Sequence, residues 1–251
     1  MGRQVALLSP EIGGVSLVGG IVRDASVPDE VRSLYPRLVV PEASGDLIRG
    51  ADVVLDVSAP AFLARLLERQ REALQGRALV VGTTGLGEDV LRALDEAASS
   101  AAVLLAPNFS IGVNVLLSLV EEAASRLAAE RYDVEIVEAH HRGKVDAPSG
   151  TALALGDAVS AGRGSALDRR DGRSGQTGPR AAGEVGFHAI RGGGVAGEHR
   201  VLFLGDRERV ELAHVAADRA LFAEGALVAA RWIAGRPAGR YTMRDVLEDP
   251  E

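Results

Sequence analysis

The stretch 52–110, DVVLDVSAPAFLARLLERQREALQGRALVVGTTGLGEDVLRALDEAASSAAVLLAPNFS, decides the fold class. Three short apolar runs in it, at 52–57, 78–81 and 102–105, have the composition of strands, and a fourth run of that kind lies upstream at 15–22. Between them the apolar residues recur at helical spacing: Leu63, Leu66, Leu67 and Leu74 in one interval, Val90, Leu91, Leu94 and Ala98 in the next. Strands that alternate with helices imply βαβ units and a parallel sheet, so an α/β class is expected. The turns after the strands carry small or special residues: Ser58-Ala-Pro60, Gly82-Thr-Thr-Gly85 and Pro107-Asn-Phe-Ser110. Ligands of open parallel sheets bind beyond the carboxyl ends of the strands, which would set these turns along one crevice. Ordinary turn chemistry accounts for any one of them taken singly.

Beyond Ser110 the pattern changes. The segment 111–129 reads as one long helix, 132–139 as a strand and 149–160 as a second helix. Strand-like runs at 183–191, 198–204 and 209–216 then follow with turn glycines between them, the mark of an antiparallel or mixed sheet. The intervening 162–182 is rich in Gly and Arg with little apolar content and reads as a surface loop. A helix over 221–233, around the only tryptophan, closes the chain, and no internal repeat is present.

Composition narrows the classes of function. With 251 residues, 47% of them apolar, the chain can build one large core or two smaller ones. A net charge of −7 (28 basic minus 35 acidic) argues against a broad nucleic-acid surface, so any anion site must be local. Cysteine is absent, which removes disulfides and thiolate metal sites, and the first residues lack a signal-peptide layout. No apolar run reaches the ~18 residues that a membrane span needs. A cytoplasmic protein without membrane or nucleic-acid partners is expected.

Of the 28 basic residues one is a lysine, Lys144, leaving 27 arginines. It lies in Glu138-Ala-His-His-Arg-Gly-Lys-Val-Asp-Ala-Pro-Ser-Gly-Thr151, beside His140 and His141, two of the five histidines. An arginine cannot give up a proton; a lysine ammonium can, and Lys144 is the first catalytic candidate. Strand alternation sets His140 on the face of Val134, Ile136 and Glu138 and His141 on the other, unless the strand ends first. Ser149, Gly150 and Thr151 open the next helix, where first-turn N–H groups and the positive end of the helix dipole make an anion seat, with Lys144 and His141 adding charge. Ser149 read as a plain helix cap fits the same position. These features together point to a small carboxylate or phosphate beside a proton donor. A metal centre is not expected, because His140 and His141 are adjacent rather than four apart and no acidic ligand set accompanies them.

The run from Glu138 to Ala152 resembles the signature of the 4-hydroxy-tetrahydrodipicolinate reductase (dihydrodipicolinate reductase) family. Gly82-Thr-Thr-Gly85, Asn108-Phe-Ser-Ile-Gly-Val-Asn114, Gly175-x-Thr-Gly-x-Arg180, Gly186-Phe187, Gly197-Glu-His199 and Met243-Arg-Asp-Val-Leu247 extend the resemblance over nearly the whole chain. It implies a Rossmann-like dinucleotide-binding domain over 1–109 and 220–251, and an α+β domain with a mixed sheet over 110–219 that binds a small cyclic dicarboxylate and builds a homotetramer. It further implies an oxidoreductase that reduces 4-hydroxy-tetrahydrodipicolinate with NADPH or NADH, in lysine and diaminopimelate synthesis. By the same resemblance His140 would be the acid/base residue and Lys144 the proton donor, with His141, Ser149, Gly150 and Thr151 around a substrate carboxylate. Gly82, Thr83, Thr84, Ala106, Pro107, Asn108 and Phe109 would lie along the cofactor, together with Arg219 and Phe222, and the segment 175–180 would close near the site.

Two departures from the family pattern stand out. Family members open with an apolar strand and a Gly-x-x-Gly-Arg-Met-Gly turn that cradles the pyrophosphate, whereas this chain begins Met1-Gly2-Arg3, as if inside that turn. A start codon assigned too late is the expected explanation. Where many members have an acidic residue for a ribose hydroxyl, Val22 precedes Arg23, which suits a 2′-phosphate and gives the expectation of an NADPH preference. The competing readings are a non-catalytic remnant subunit unable to bind nucleotide, and a related two-domain dehydrogenase of another small acid.

Overall fold

A computed structural model of the protein describes residues 1–23 and 27–249. In chain order the first elements are α1 (Gly2–Leu8), β1 (Gly20–Ile21), α2 (Asp29–Arg32), β2 (Leu38–Val39), α3 (Gly45–Arg49), β3 (Val53–Asp56), α4 (Pro60–Arg69), α5 (Arg71–Leu74), β4 (Ala78–Val81), α6 (Glu88–Ala98) and β5 (Ala102–Leu105). There follow α7 (Ile111–Arg126), β6 (Asp133–His140), α8 (Gly150–Arg163), β7 (Arg169–Asp171), β8 (Val185–Arg191), β9 (Glu198–Leu204) and β10 (Arg209–Val215). The chain closes with α9 (Ala220–Ile233), β11 (Gly239–Tyr241) and α10 (Met243–Glu248). Two compact units result, Met1–Ile111 with Ala220–Glu251, and Gly112–Arg219.

The first unit is built on a parallel sheet of order β11-β5-β4-β3. Strand alternation divides its side chains cleanly. Leu79, Val81 and Val103 face the apolar stripes of α4 and α6, with Leu63, Leu66 and Leu94, while Ala78, Val80, Ala102 and Leu104 face α9, with Ala226, Ala229 and Ile233. Both faces are covered, which is why these strands read as unbroken apolar runs. α10 starts on a capping box between Thr242 and Asp245, and with β11 it extends the unit beyond the single closing helix expected from the sequence.

The run at 15–22, expected as a full strand, forms two strand residues only, and these pair in parallel with β2 in a small sheet of their own. Where the run does pair, glycine is required. A Cβ on Gly19 would stand 2.8 Å from the Arg37 carbonyl oxygen, and one on Gly20 2.9 Å from the Tyr35 ring, so the chain approaches its neighbour more closely than a side chain allows. A cavity of about 580 Å³ lies in this unit, bordered by residues of β1 and β3 among them Gly20, Ile21, Val53 and Leu55.

The second unit has a mixed sheet of order β10-β9-β6-β8-β7, with β6 parallel to β8 and antiparallel to β9. Inward residues of β6 and β9, Val134, Ile136, Val201 and Phe203, pack with Ala152, Leu155 and Val159 of α8 in one buried cluster. Helix α8 runs on to Arg163 and stops at Gly164, whose φ of 62° is a left-handed cap. The segment 162–182 is not loop throughout, since β7 lies inside it and adds an edge to β8. All three residues of β7 are exposed, so no hydrophobic pattern announces it.

Helix α9 comes so close to the turn after β5 that a Cβ on Gly225 would lie 1.9 Å from the Phe109 carbonyl oxygen. Replacing a helix glycine by alanine ordinarily gains about 1 kcal/mol, but overpacking against backbone costs about 1–3 kcal/mol. Gly225→Ala is therefore expected to lower the unfolding free energy in a denaturant titration; an unchanged or raised value would mean that α9 can move off the turn.

Candidate functional site

At the carboxyl end of β3 the Asp56 carboxylate is 5% exposed. One oxygen accepts from the Thr83 hydroxyl at 2.5 Å and the other from the Ser58 hydroxyl, while the Ser58 N–H donates to Thr83 Oγ1 at 3.0 Å. The turns after β3 and β4 are thereby tied to one carboxyl group. Burial pushes the Asp56 pKa up, against the opposing pull of its hydroxyl and amide donors. Gly82 is packed beneath a ring rather than open, for a Cβ there would stand 2.3 Å from Phe109 Cε2. Phe109 and Ala106 are themselves buried. The Ser110 N–H donates to Asn108 Oδ1 at 2.8 Å and fixes the third turn. Thr84 and Pro107 are exposed at these strand ends and Asn108 is half-buried; Arg23 and Arg219 are exposed, and Phe222 is half-buried. The turns after β3, β4 and β5 thus present a tied floor and an uncharged rim at the strand ends. Thr83, Gly82, Ala106 and Phe109 make the floor; Thr84, Pro107 and Asn108 make the rim.

In the second unit the inward face of β6 carries Val134, Ile136, Glu138 and His140 in succession, so a carboxylate continues an apolar column and is 1% exposed. Its four acceptor positions are all engaged. Arg191 Nη1 donates to Oε2 and Nη2 to Oε1, each at 2.7 Å; the Ser149 N–H donates to Oε1 at 3.1 Å; and His140 Nδ1 lies 2.6 Å from Oε2. Burial pushes the Glu138 pKa up, but the Arg191 and His140 hydrogen bonds and charges outweigh it and hold the carboxyl below its ordinary value. An ionised carboxylate only accepts, so His140 Nδ1 carries a hydrogen, and in the neutral ring the lone pair is on Nε2. A Cβ on Gly197 would lie 3.2 Å from that Nε2, so glycine leaves room beside this edge of the ring.

The strand ends at His140, and His141 begins a tight turn in which its carbonyl accepts from the Lys144 N–H at 3.1 Å. Lys144 Nζ pairs with Asp146 Oδ1 at 2.9 Å, and this contact lowers the Asp146 pKa. Arg191 Nη2 reaches the Asp146 carbonyl at 2.6 Å, linking the lysine turn to the Glu138 cluster. Ser149 is 2% exposed and its hydroxyl is committed: it caps α8 by accepting from the Ala152 N–H at 3.2 Å and lies 3.1 Å from His199 Nε2. At the helix opening, then, Gly150 is the exposed residue, with no atom within 4 Å of where its Cβ would stand, and Thr151 is half-buried. His199, 4% exposed, meets the His140 ring edge-on at 5.1 Å. Burial, and then the neighbouring His140, lower its pKa to about 4, so it is neutral near pH 7.

The structure thus gathers His140, His141, Lys144, Ser149, Gly150 and Thr151 around one cluster. Sequence reasoning missed the residues that hold them. Glu138 gave a usable signal, a carboxylate at an inward strand position where burial demands a partner. Arg191 gave none, since it meets His140 only through the β6–β8 register, 51 positions along the chain. Asp56 and His199 were likewise hidden among ordinary strand residues.

Comparison with known proteins gives the family. Residues 1–109 match the family described as Dihydrodipicolinate reductase, N-terminus, and residues 112–247 match Dihydrodipicolinate reductase, C-terminus. The 4-hydroxy-tetrahydrodipicolinate reductase of Alkalilimnicola ehrlichii is 45% identical over 255 residues, covering 98% of this chain and 94% of that one. That of Caulobacter vibrioides is 46% identical over 202 residues, covering 80% and 78%. Among solved structures, dipicolinate-bound dihydrodipicolinate reductase from Paenisporosarcina sp. TG-14 superposes with a TM-score of 0.70 at 21% identity, covering 96% of this chain and 92% of that one, a likeness of fold. The chain belongs to the dihydrodipicolinate reductase family of pyridine-nucleotide-dependent oxidoreductases.

Proposed function

We propose that this chain reduces 4-hydroxy-tetrahydrodipicolinate to tetrahydrodipicolinate, using the His140–Lys144 turn as its acid/base centre. The observation that carries the reading is an imidazole with Nδ1 on a buried carboxylate and Nε2 clear, beside the chain's one lysine and the opening of α8. The reaction replaces a C–OH by a C–H, so it takes up a hydride and a proton and releases water. Bound NAD(P)H supplies the hydride. Lys144 Nζ donates the proton, and His140 Nε2 exchanges a proton with the substrate as acid or base. His141, Gly150 and Thr151 hold a substrate carboxylate at the positive end of the 14-residue α8. Ser149 serves that seat from behind, as the helix cap and the partner of neutral His199. In the first unit Thr83 and Thr84, with the turn 106–109, line the nicotinamide side and Phe222 adds a further cofactor contact; Arg219, the last residue of the second unit, is the remaining cofactor candidate.

The purified chain is expected to oxidise NADPH when given freshly generated substrate, and Lys144→Ala to lower turnover by about 10²- to 10⁴-fold, the usual worth of a positioned general acid. Unaltered turnover in the variant would remove Lys144 from the proton-donor role.

Arg23 supports a preference for NADPH, because a guanidinium at the end of β1 recognises a 2′-phosphate bidentately. Steady-state kcat/KM should be higher with NADPH than with NADH, and Arg23→Ala should narrow the gap chiefly through the NADPH KM. Equal or better use of NADH by the unaltered chain would overturn the assignment.

A homotetramer formed through the second unit is supported by large apolar side chains left exposed on its sheet, Ile190 at 55%, Val210 at 38% and Val215 at 61%. No helix of the described residues is long and apolar enough to cross a membrane, in keeping with a cytoplasmic enzyme. Sedimentation equilibrium should return four times the chain mass, and cell fractionation should place the protein in the cytosol; a monomer, or recovery with membranes, would contradict these two assignments respectively.

A further inference from the structure

Building on His140 as the acid/base residue, we propose that Glu138 and Arg191 are the positioning pair for the reaction: Arg191 locks Glu138, and Glu138 fixes the tautomer and orientation of His140. The argument is one of donor and acceptor count. Four donors converge on two carboxylate oxygens, with His140 Nδ1 and Arg191 Nη1 on Oε2, and the Ser149 N–H and Arg191 Nη2 on Oε1. No acceptor place is vacant and no donor is duplicated, so the ring has one arrangement that satisfies the cluster: Nδ1–H toward Glu138 and Nε2 facing away. A ring turned over would face the buried carboxylate oxygen with Cδ2–H, and a ring carrying its only hydrogen on Nε2 would face it with a lone pair.

Arg191 does a second thing. Its Nη2 also holds the Asp146 carbonyl at 2.6 Å, and the Asp146 side chain holds Lys144 Nζ at 2.9 Å. One guanidinium at the end of β8 therefore sets both the imidazole and the ammonium, through two different hydrogen-bond routes. This use of a planar fork is open to arginine and closed to lysine, whose point charge cannot serve both oxygens and the carbonyl in fixed directions. Neither Glu138 nor Arg191 needs to touch substrate for this role.

The test uses Glu138→Gln, Arg191→Lys and His140→Gln in the full chain, with turnover, substrate KM and the side-chain ¹⁵N spectrum of the histidines under conditions where the imidazole is neutral. There are five histidines, so the His140 signals are assigned by their loss in His140→Gln. In Glu138→Gln either orientation of the amide points its NH₂ at two donors, and the Nδ1–H form of His140 should give way to a mixture with the Nε2–H form. Both Glu138→Gln and Arg191→Lys are expected to lower kcat by about 10-fold or more, with a smaller change in substrate KM, since neither side chain needs to touch substrate. A folded Glu138→Gln or Arg191→Lys protein that keeps the Nδ1–H tautomer, with kcat within about 2-fold of the original, overturns the proposal. Should Glu138→Gln fail to fold, Arg191→Lys decides by the same two readouts, because its side chain lies partly at the surface. Full turnover in His140→Gln would instead bring down the acid/base reading of His140, and the tautomer measured in the other two variants would still decide whether Glu138 positions the ring.

Discussion

A buried carboxylate needs a cation, and in this protein that need organises the second unit around Glu138. Moving an isolated carboxylate into a protein interior costs several kcal/mol even after relaxation, and a pair formed there is worth having only when the remaining lone pairs are also satisfied. Glu138 meets both conditions, with the Arg191 fork as its counter-charge and a backbone amide and an imidazole for the rest. Those partners come from three places, β8, the opening of α8 and the end of β6, and Arg191 links them to a fourth, the turn that carries Lys144. The strand end, the helix cap and the lysine turn are thus held relative to one another by one group, and removing Arg191 would leave its buried charge uncompensated, a loss of about 3–5 kcal/mol.

The first unit uses the same device with the opposite electrostatic result. Asp56 also stands at the carboxyl end of a strand, also buried, and also ties two turns together. Its partners are hydroxyls, with an amide, and no guanidinium stands among the influences on it, so desolvation prevails and its pKa rises, whereas that of Glu138 falls. The contrast follows from what each region has to hold. Glu138 must keep its charge to orient an imidazole; Asp56 has only to fix the turns on which a nucleotide would rest.

Glycine has a part in both units that composition conceals. Gly82 and Gly225 let the chain close on Phe109 from two sides, and Gly197 leaves room beside Nε2 of His140. At Gly82 and Gly225 a methyl group would occupy volume already taken by a ring or a carbonyl, so close approach fixes the residue, and at Gly197 it would crowd the imidazole at 3.2 Å.

The sequence by itself determined the alternation of strands and helices from 52 to 105, because parallel strands covered on both faces must be apolar throughout and their bounding turns carry Gly, Pro and Ser. It also determined the cluster of His140, His141 and Lys144 before a helix opening, because those residues are neighbours in the chain and a long motif keeps them so. β7 and the short strands β2 and β11 escaped it, and β1 came out shorter than its apolar run, since strands of two or three residues are defined by the backbone partner they find. The tertiary structure alone decided that Arg191 serves Glu138, that Ser149 turns inward to His199 and that Gly82 lies under Phe109. Each of these is a contact between residues 25 or more positions apart, and local pattern carries the burial of a residue but not the identity of what will meet it there.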